Sequence, residues 1–183
     1  MKKDPLFIAI LLTLFLSTTA LAQTREQTTV QTASVKLGKV EGAVTVKYLN
    51  YPWGEVTFGY LEKGGNNYYS TRTWSVAHLI TKVKTSIQGV ELPAGDYALV
   101  VHPGGPDKKM TLSVIQVAGE FLKDGKWSEK APEGKVMGKW DIEFEKMDDL
   151  ADHMKIALEP QGKSVKLIIY YGNRKLVHTL TAS

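Results

Sequence analysis

The sequence predicts an all-β fold: an antiparallel β-sandwich of about nine or ten short strands, preceded by a signal peptide. Three observations predict it. Apolar and polar residues alternate with period two in one segment after another, as in strands buried on one face. Turn-forming Gly, Pro and Asn recur about every 8–12 residues between those segments. No segment sustains the helical period.

The leader comes first. Met1-Lys2-Lys3 is basic, Leu6 to Leu16 is almost unbrokenly apolar, and Ala20-Leu21-Ala22 offers the small-x-small pattern cut by signal peptidase. The apolar run is shorter than the roughly 20 residues that span a bilayer, so cleavage after Ala22 is expected rather than anchoring. Residues 1–22 are therefore read as a signal peptide. The mature chain is exported, periplasmic or extracellular, with no membrane span. Gln23 to Ser34 is polar and reads as a flexible lead-in. Residues 35–181 are the length of one domain with a core of its own. Cysteine is absent, so neither disulfides nor a lipidated cysteine contribute.

Within the domain, Val35 to Val40 reads as a short strand. Gly42 to Leu49 sets Val44, Val46 and Tyr48 against Thr45 and Lys47. Asn50 to Gly54 is a turn. Glu55 to Leu61 alternates through Val56, Phe58 and Tyr60 and reads as a strand, followed by a Gly64-Gly65-Asn66-Asn67 loop. Tyr68 to Ile80 has high β-propensity without a clear period. Lys82 to Gln88 is a strand with Val83, Thr85 and Ile87 inward. Gln88 to Val101 is strand, turn, strand. Gly89 ends the first, Pro93 belongs in the turn, and Gly95 is available for positive φ. Tyr97, Leu99 and Val101 then share one face. His102 to Asp107 is a loop, and Met110 to Val117 alternates. Glu120 to Gly134 is irregular. Val136, Gly138, Trp140, Ile142 and Phe144 oppose Lys139, Asp141 and Glu143, and Glu145 to Ala151 interrupts the pattern. His153 to Leu158 and Val165 to Tyr171 are strands. Gly172-Asn173-Arg174 closes a last hairpin, with Lys175 to Leu180 as its return.

With the strands placed, Arg72-Thr73 and Leu92-Pro93-Ala94-Gly95-Asp96-Tyr97-Ala98-Leu99, together with Trp140-Asp141-Ile142-Glu143-Phe144, carry a family likeness. The chain resembles the secreted bacterial family called domain of unknown function 2911. The resemblance implies a β-sandwich and no established activity. Trp74-Ser75-Val76 stands where that family has Gly-Ala-Asn, so the polar motif around Arg72 departs from its pattern.

Chemistry is sparse. The net charge of +4 is spread along the chain without a basic stripe, which excludes a nucleic-acid partner. There is no cysteine nucleophile and no Gly-x-Ser-x-Gly elbow. His78, His102, His153 and His178 lie far apart and form no His-x-x-x-His pair, so neither a metal site nor a cofactor is expected. Asp141, Glu143 and Glu145 share one strand face, opposite Trp140, Ile142 and Phe144, and read as its wet side. The best binding candidate is the aromatic run from Tyr48 to Trp74. Within it, Tyr51 and Trp53 sit in a turn, and adjacent Tyr68 and Tyr69 cannot both face inward if extended. Tyr68, Tyr69, Arg72, Trp74 and His78 are the candidate ligand contacts, with Arg72 able to fork onto an anionic group.

The expected function is a secreted or periplasmic binding or interaction module without catalysis, its partner a carbohydrate or an envelope protein. Two alternatives stay open: a carbohydrate-active or other hydrolytic enzyme using surface carboxylates, and a structural accessory domain of the envelope. The leader makes a first prediction. The exported protein begins at Gln23; an intact-mass measurement that finds Met1 to Ala22 retained in soluble product refutes it.

Overall fold

Ten of the described strands divide between two antiparallel sheets that face each other across one core. The computed structural model describes residues 28–63, 74–105, 107–119, 122–123, 126–127 and 132–182. In chain order its elements are β1 (Val30–Leu37), β2 (Val40–Leu49), α1 (Glu55–Lys63), β3 (Trp74–Thr81), β4 (Thr85–Ile87), β5 (Val90–Leu92), β6 (Gly95–His102) and β7 (Met110–Gln116). After these come β8 (Leu122–Lys123), β9 (Lys126–Trp127), β10 (Lys135–Ile142), β11 (Glu145–Gln161) and β12 (Ser164–Ala182). One sheet has the order β1-β2-β3-β6-β7-β10 and the other β11-β12-β4-β5, while β8 and β9 form a separate ribbon. The all-β sandwich expected from alternation is present. Among the described residues, no helix is long and apolar enough to cross a membrane.

Period two builds the core. Val44, Val46, Leu79, Tyr97, Leu99, Leu112 and Val114 face inward from the six-stranded sheet, and Ile87, Leu92, Met154, Ile156, Leu167 and Ile169 from the other. The chain changes sheets twice in quick succession. β3 ends in one sheet at Thr81, and Lys82-Val83-Lys84 bends into β4 of the other, so the strand expected over Lys82 to Gln88 is reduced to Thr85–Ile87. The reverse step is Pro93-Ala94. Its Pro93 carbonyl accepts hydrogen bonds from Tyr97 Oη (2.6 Å) and Thr81 Oγ1 (3.1 Å), which pin the corner. Positive φ falls on Gln88 (52°) and Gly89 (77°), not on Gly95. Those two residues make the type I′ turn whose twist suits a two-residue hairpin between β4 and β5.

Five further expectations are corrected. Glu55 to Leu61 is part of helix α1, not a strand. Phe58 and Leu61, three apart, are its buried residues, while Val56 is 71% exposed. That is a helical spacing which Val56, Phe58 and Tyr60 masked by chance. β1 opens at Val30, inside the polar lead-in, because Val30 to Ser34 pair with Leu49 to Thr45 and an edge strand tolerates polar residues on its outer face. Glu145 to Ala151 does not interrupt anything. It begins β11, where register shifts between Lys146 and Lys155 hide the alternation. Gly172 is not a hairpin turn. At φ +60° it is a kink opposite the extra residues of β11, and β12 runs straight through it to Ala182. Val136 faces outward because the register slips between Val136 and Gly138.

Leu99 tests the face assignment. It is fully buried at the centre of β6, so Leu99→Ala should cost about 2–5 kcal/mol. A urea titration showing a loss under roughly 0.5 kcal/mol, the range of surface changes, would contradict this packing.

Candidate functional site

Helix α1 sits over one end of the sandwich, and the aromatic residues collect beneath it. Asn50 to Gly54 leads into it through two backbone bonds to β11: Trp53 N–H donates to the Asp152 carbonyl (2.7 Å) and Met154 N–H to the Tyr51 carbonyl (2.8 Å). Tyr171 Oη donates to the Pro52 carbonyl at 3.0 Å. The Trp53 indole lies directly on Gly172, where a Cβ would collide with the ring. From there the rings run in contact. Trp53 meets Tyr171 edge-on at 4.9 Å between centroids, Phe58 meets Phe144 at 5.1 Å, and Trp74 meets Tyr171 at 5.3 Å. Burial, and then Tyr171, pushes the Tyr51 phenol up to about 12. These rings are a packed layer that carries α1, each pair adding about 0.5–1.5 kcal/mol beyond its area.

The layer positions a groove. Arg174 stacks over the Phe58 ring (5.6 Å) and reaches Glu62 at 3.8 Å, a contact worth under about 1 kcal/mol at this exposure. Glu62 and the loop between β6 and β7 form one side. Gly104 N–H donates to the Leu61 carbonyl (2.8 Å), tying that loop to the end of α1. A Cβ on Gly104 would stand 2.6 Å from the Glu62 carbonyl oxygen and 2.8 Å from that of Lys108. The loop then folds back on itself through Gly105 and Lys108, paired by N–H···O bonds of 2.7 and 3.3 Å. The groove holds about 480 Å³, lined by buried Met110 and Ile142, by Gly105, and by Glu62, Asp107, Lys108, Lys109 and Glu143. Apolar walls under charges of both signs, in a volume suited to a small ligand, can seat an amphipathic or zwitterionic group.

The residues expected to contact a ligand are distributed differently. Tyr68, Tyr69 and Arg72 lie outside the described residues. Trp74 is half-buried in the ring layer below the groove. His78 is buried on the outer face of the six-stranded sheet, where Nε2 stands 2.8 Å from Asp96 Oδ1. A register shift between Ser75 and Ala77 separates the two, so Trp74 and His78 serve different faces. Phe58, Tyr48 and Trp53 from the same aromatic run are packing residues. His102 pairs with Ser113 Oγ (2.8 Å), and burial, followed by Lys139 and Lys108, lowers its pKa. His178 is buried beside Trp140. Asp141, Glu143 and Glu145 are exposed as expected, Glu145 with Lys175 at 3.1 Å. Among the described residues, no three His, Cys, Asp or Glu side chains are grouped to hold a metal. Sequence reasoning missed the groove because its parts come from α1, the β6–β7 loop and the end of β10. The one local signal was Gly104-Gly105 between two prolines.

No model of a known protein family matches this chain, and neither a curated protein nor a solved structure matches it.

Gly104 decides whether the groove wall can form. Because the neighbours of an added Cβ are backbone oxygens, Gly104→Ala should cost about 1–3 kcal/mol, the range of overpacking. Gly105→Ala, whose Cβ would sit 3.8 Å from the Lys108 side chain, should cost clearly less. Equal midpoints in urea would show that the loop is not held against α1.

Proposed function

We propose that this chain is an exported β-sandwich that binds a partner without transforming it, and that the partner enters the groove beside α1. The groove itself carries the reading: apolar walls and a rim of both charges, held open by a loop that is tied to the helix. The leader pattern supports export, and the resemblance to domain of unknown function 2911 fits a secreted sandwich. Of the candidate segment from Tyr68 to His78, Trp74 belongs to the ring layer. A carbohydrate or an envelope protein remains the proposed partner class. Trp74 contributes from below, as support for the ring layer.

A second reading has one observation in its favour. Glu62 and Glu143 line the same groove, and two carboxylates flanking a substrate are the machinery of glycoside hydrolysis. A single panel separates the two readings. Soluble glycans and envelope-derived peptides are added to the mature protein and thermal unfolding is followed. One class should raise Tm by roughly 5–10 °C at a hundredfold excess over Kd. The paired charge reversal Lys108→Glu, Lys109→Glu should abolish the rise while changing stability by about 0.5 kcal/mol or less, as exposed positions do. No shift with any class, or one untouched by the charge reversal, removes the groove as the site. Glycan turnover that Glu143→Gln abolishes would establish the hydrolytic reading instead.

A further inference from the structure

Three buried polar atoms meet without a hydrogen-bond partner among the described residues where β10 of one sheet faces β12 of the other: Trp140 Nε1 and both ring nitrogens of His178. The two rings touch edge-to-face, 5.9 Å between centroids at 76°. His178 is 4% exposed. It points inward with Leu176 and Leu180 because the parity of β12 changes across the kink at Gly172. The seam is closed further by Val90 of β5, which leaves no room for a Cβ at Gly138 of β10.

A neutral imidazole in this position forgoes one donor and one acceptor. A protonated one forgoes two donors and places a charge in the core. The Trp140 ring could return on the order of 2 kcal/mol to an imidazolium, short of the several kcal/mol lost by a buried ion. Among the described residues, no carboxylate is turned towards it. On β10, Lys139 and Asp141 are exposed on the other face. On β4 and β5, Lys84 and Glu91 pair outward with each other, and Glu145 of β11 pairs with Lys175 of β12. The inner residues of β7, Leu112 and Val114, carry no charge.

We propose that His178 and Trp140 form an acid-sensitive latch, in which protonation of His178 frees β10 from the four-stranded sheet and from its pairing with β7. β10 is the element to yield because it is an edge strand held by β7 alone and already irregular at Met137. Ile142 closes β10 and lines the groove, so opening also loosens the groove. That last consequence rests on the binding reading; the latch does not.

The sign follows from the environment. Burial lowers the His178 pKa from 6.5 to about 4. Opening therefore takes up a proton between those values. The closed state keeps its full stability above about pH 6.5 and loses it as pH falls towards 4. Between about pH 7 and pH 5 the opening constant should rise about twentyfold. Hydrogen exchange read by mass spectrometry on peptides covering Lys135–Ile142, corrected for intrinsic rates, should show that loss of protection. In His178→Leu, which fills the site with an apolar side chain, the change should be under about twofold. NMR titration of the His178 ring in the unaltered protein gives an independent reading if that variant does not fold. A ring midpoint at or above about pH 6, unchanged protection of β10, or an equal loss in His178→Leu, which would move the switch to a group such as His102, overturns the proposal.

Discussion

The geometry of the helix end depends on the missing side chain at Gly172. With φ at +60° it kinks β12 without ending it, and its bare face receives the Trp53 indole. Both effects are needed. The parity of β12 changes across this kink, so Val165, Leu167, Ile169 and Tyr171 face the core before it and Leu176, His178 and Leu180 after it. The seat for Trp53 fixes the turn that precedes α1. Tyr171 then anchors that turn at Pro52, Phe58 packs against the assembled rings, and the end of the helix reaches the β6–β7 loop through Leu61 and Gly104. A single backbone irregularity thus connects the longest strand to the groove.

The two sheets are tied at another corner by chemistry of a different kind. Leu92 belongs to one sheet and Gly95 to the other, so the chain between them has no ladder in which to satisfy its carbonyls. Tyr97 and Thr81 supply the donors for Pro93. Tyr97 is otherwise wholly buried, and its phenol is pushed up by burial and by Asp96, which keeps it a donor. A tyrosine that closes a corner in this manner is a recurring device in sandwiches.

How much of this could be seen in the sequence followed from how local each signal was. Alternation marked β2, β6 and β7 because each keeps one face inward for its whole length. It failed where one residue shifts the face, at Met137 and Gly172, since a glycine that kinks a strand and a glycine that turns look alike without the partner strand. It failed at α1 because Val56, Phe58 and Tyr60 satisfy a period of two, and only tertiary burial of Phe58 with Leu61 decides for helix. A two-sheet sandwich was expected, but the points where the chain crosses between the sheets were invisible: Lys82-Val83-Lys84 has the composition of a strand and acts as a bend. Of the site, Trp74 and His78 were legible as a dense polar-aromatic stretch, but their opposite orientations depend on the irregularity at Val76. The groove, assembled from three distant segments, had no sequence signature beyond its paired glycines.

The pairing of β4 with β12 bears on the order of assembly. Thr85 to Ile87 bond to Ala182 through Leu180, so a hairpin made early in the chain waits for one of its most distant partners. Until those residues arrive, Ile87 and Leu92 have one sheet without its central strand, and the inner face of the six-stranded sheet lies uncovered. Such non-local closure is slow, on the order of milliseconds to seconds. The second sheet must therefore form after nearly all of the chain has been made. A polypeptide built this way keeps the apolar faces of both sheets apart until its last strand is in place.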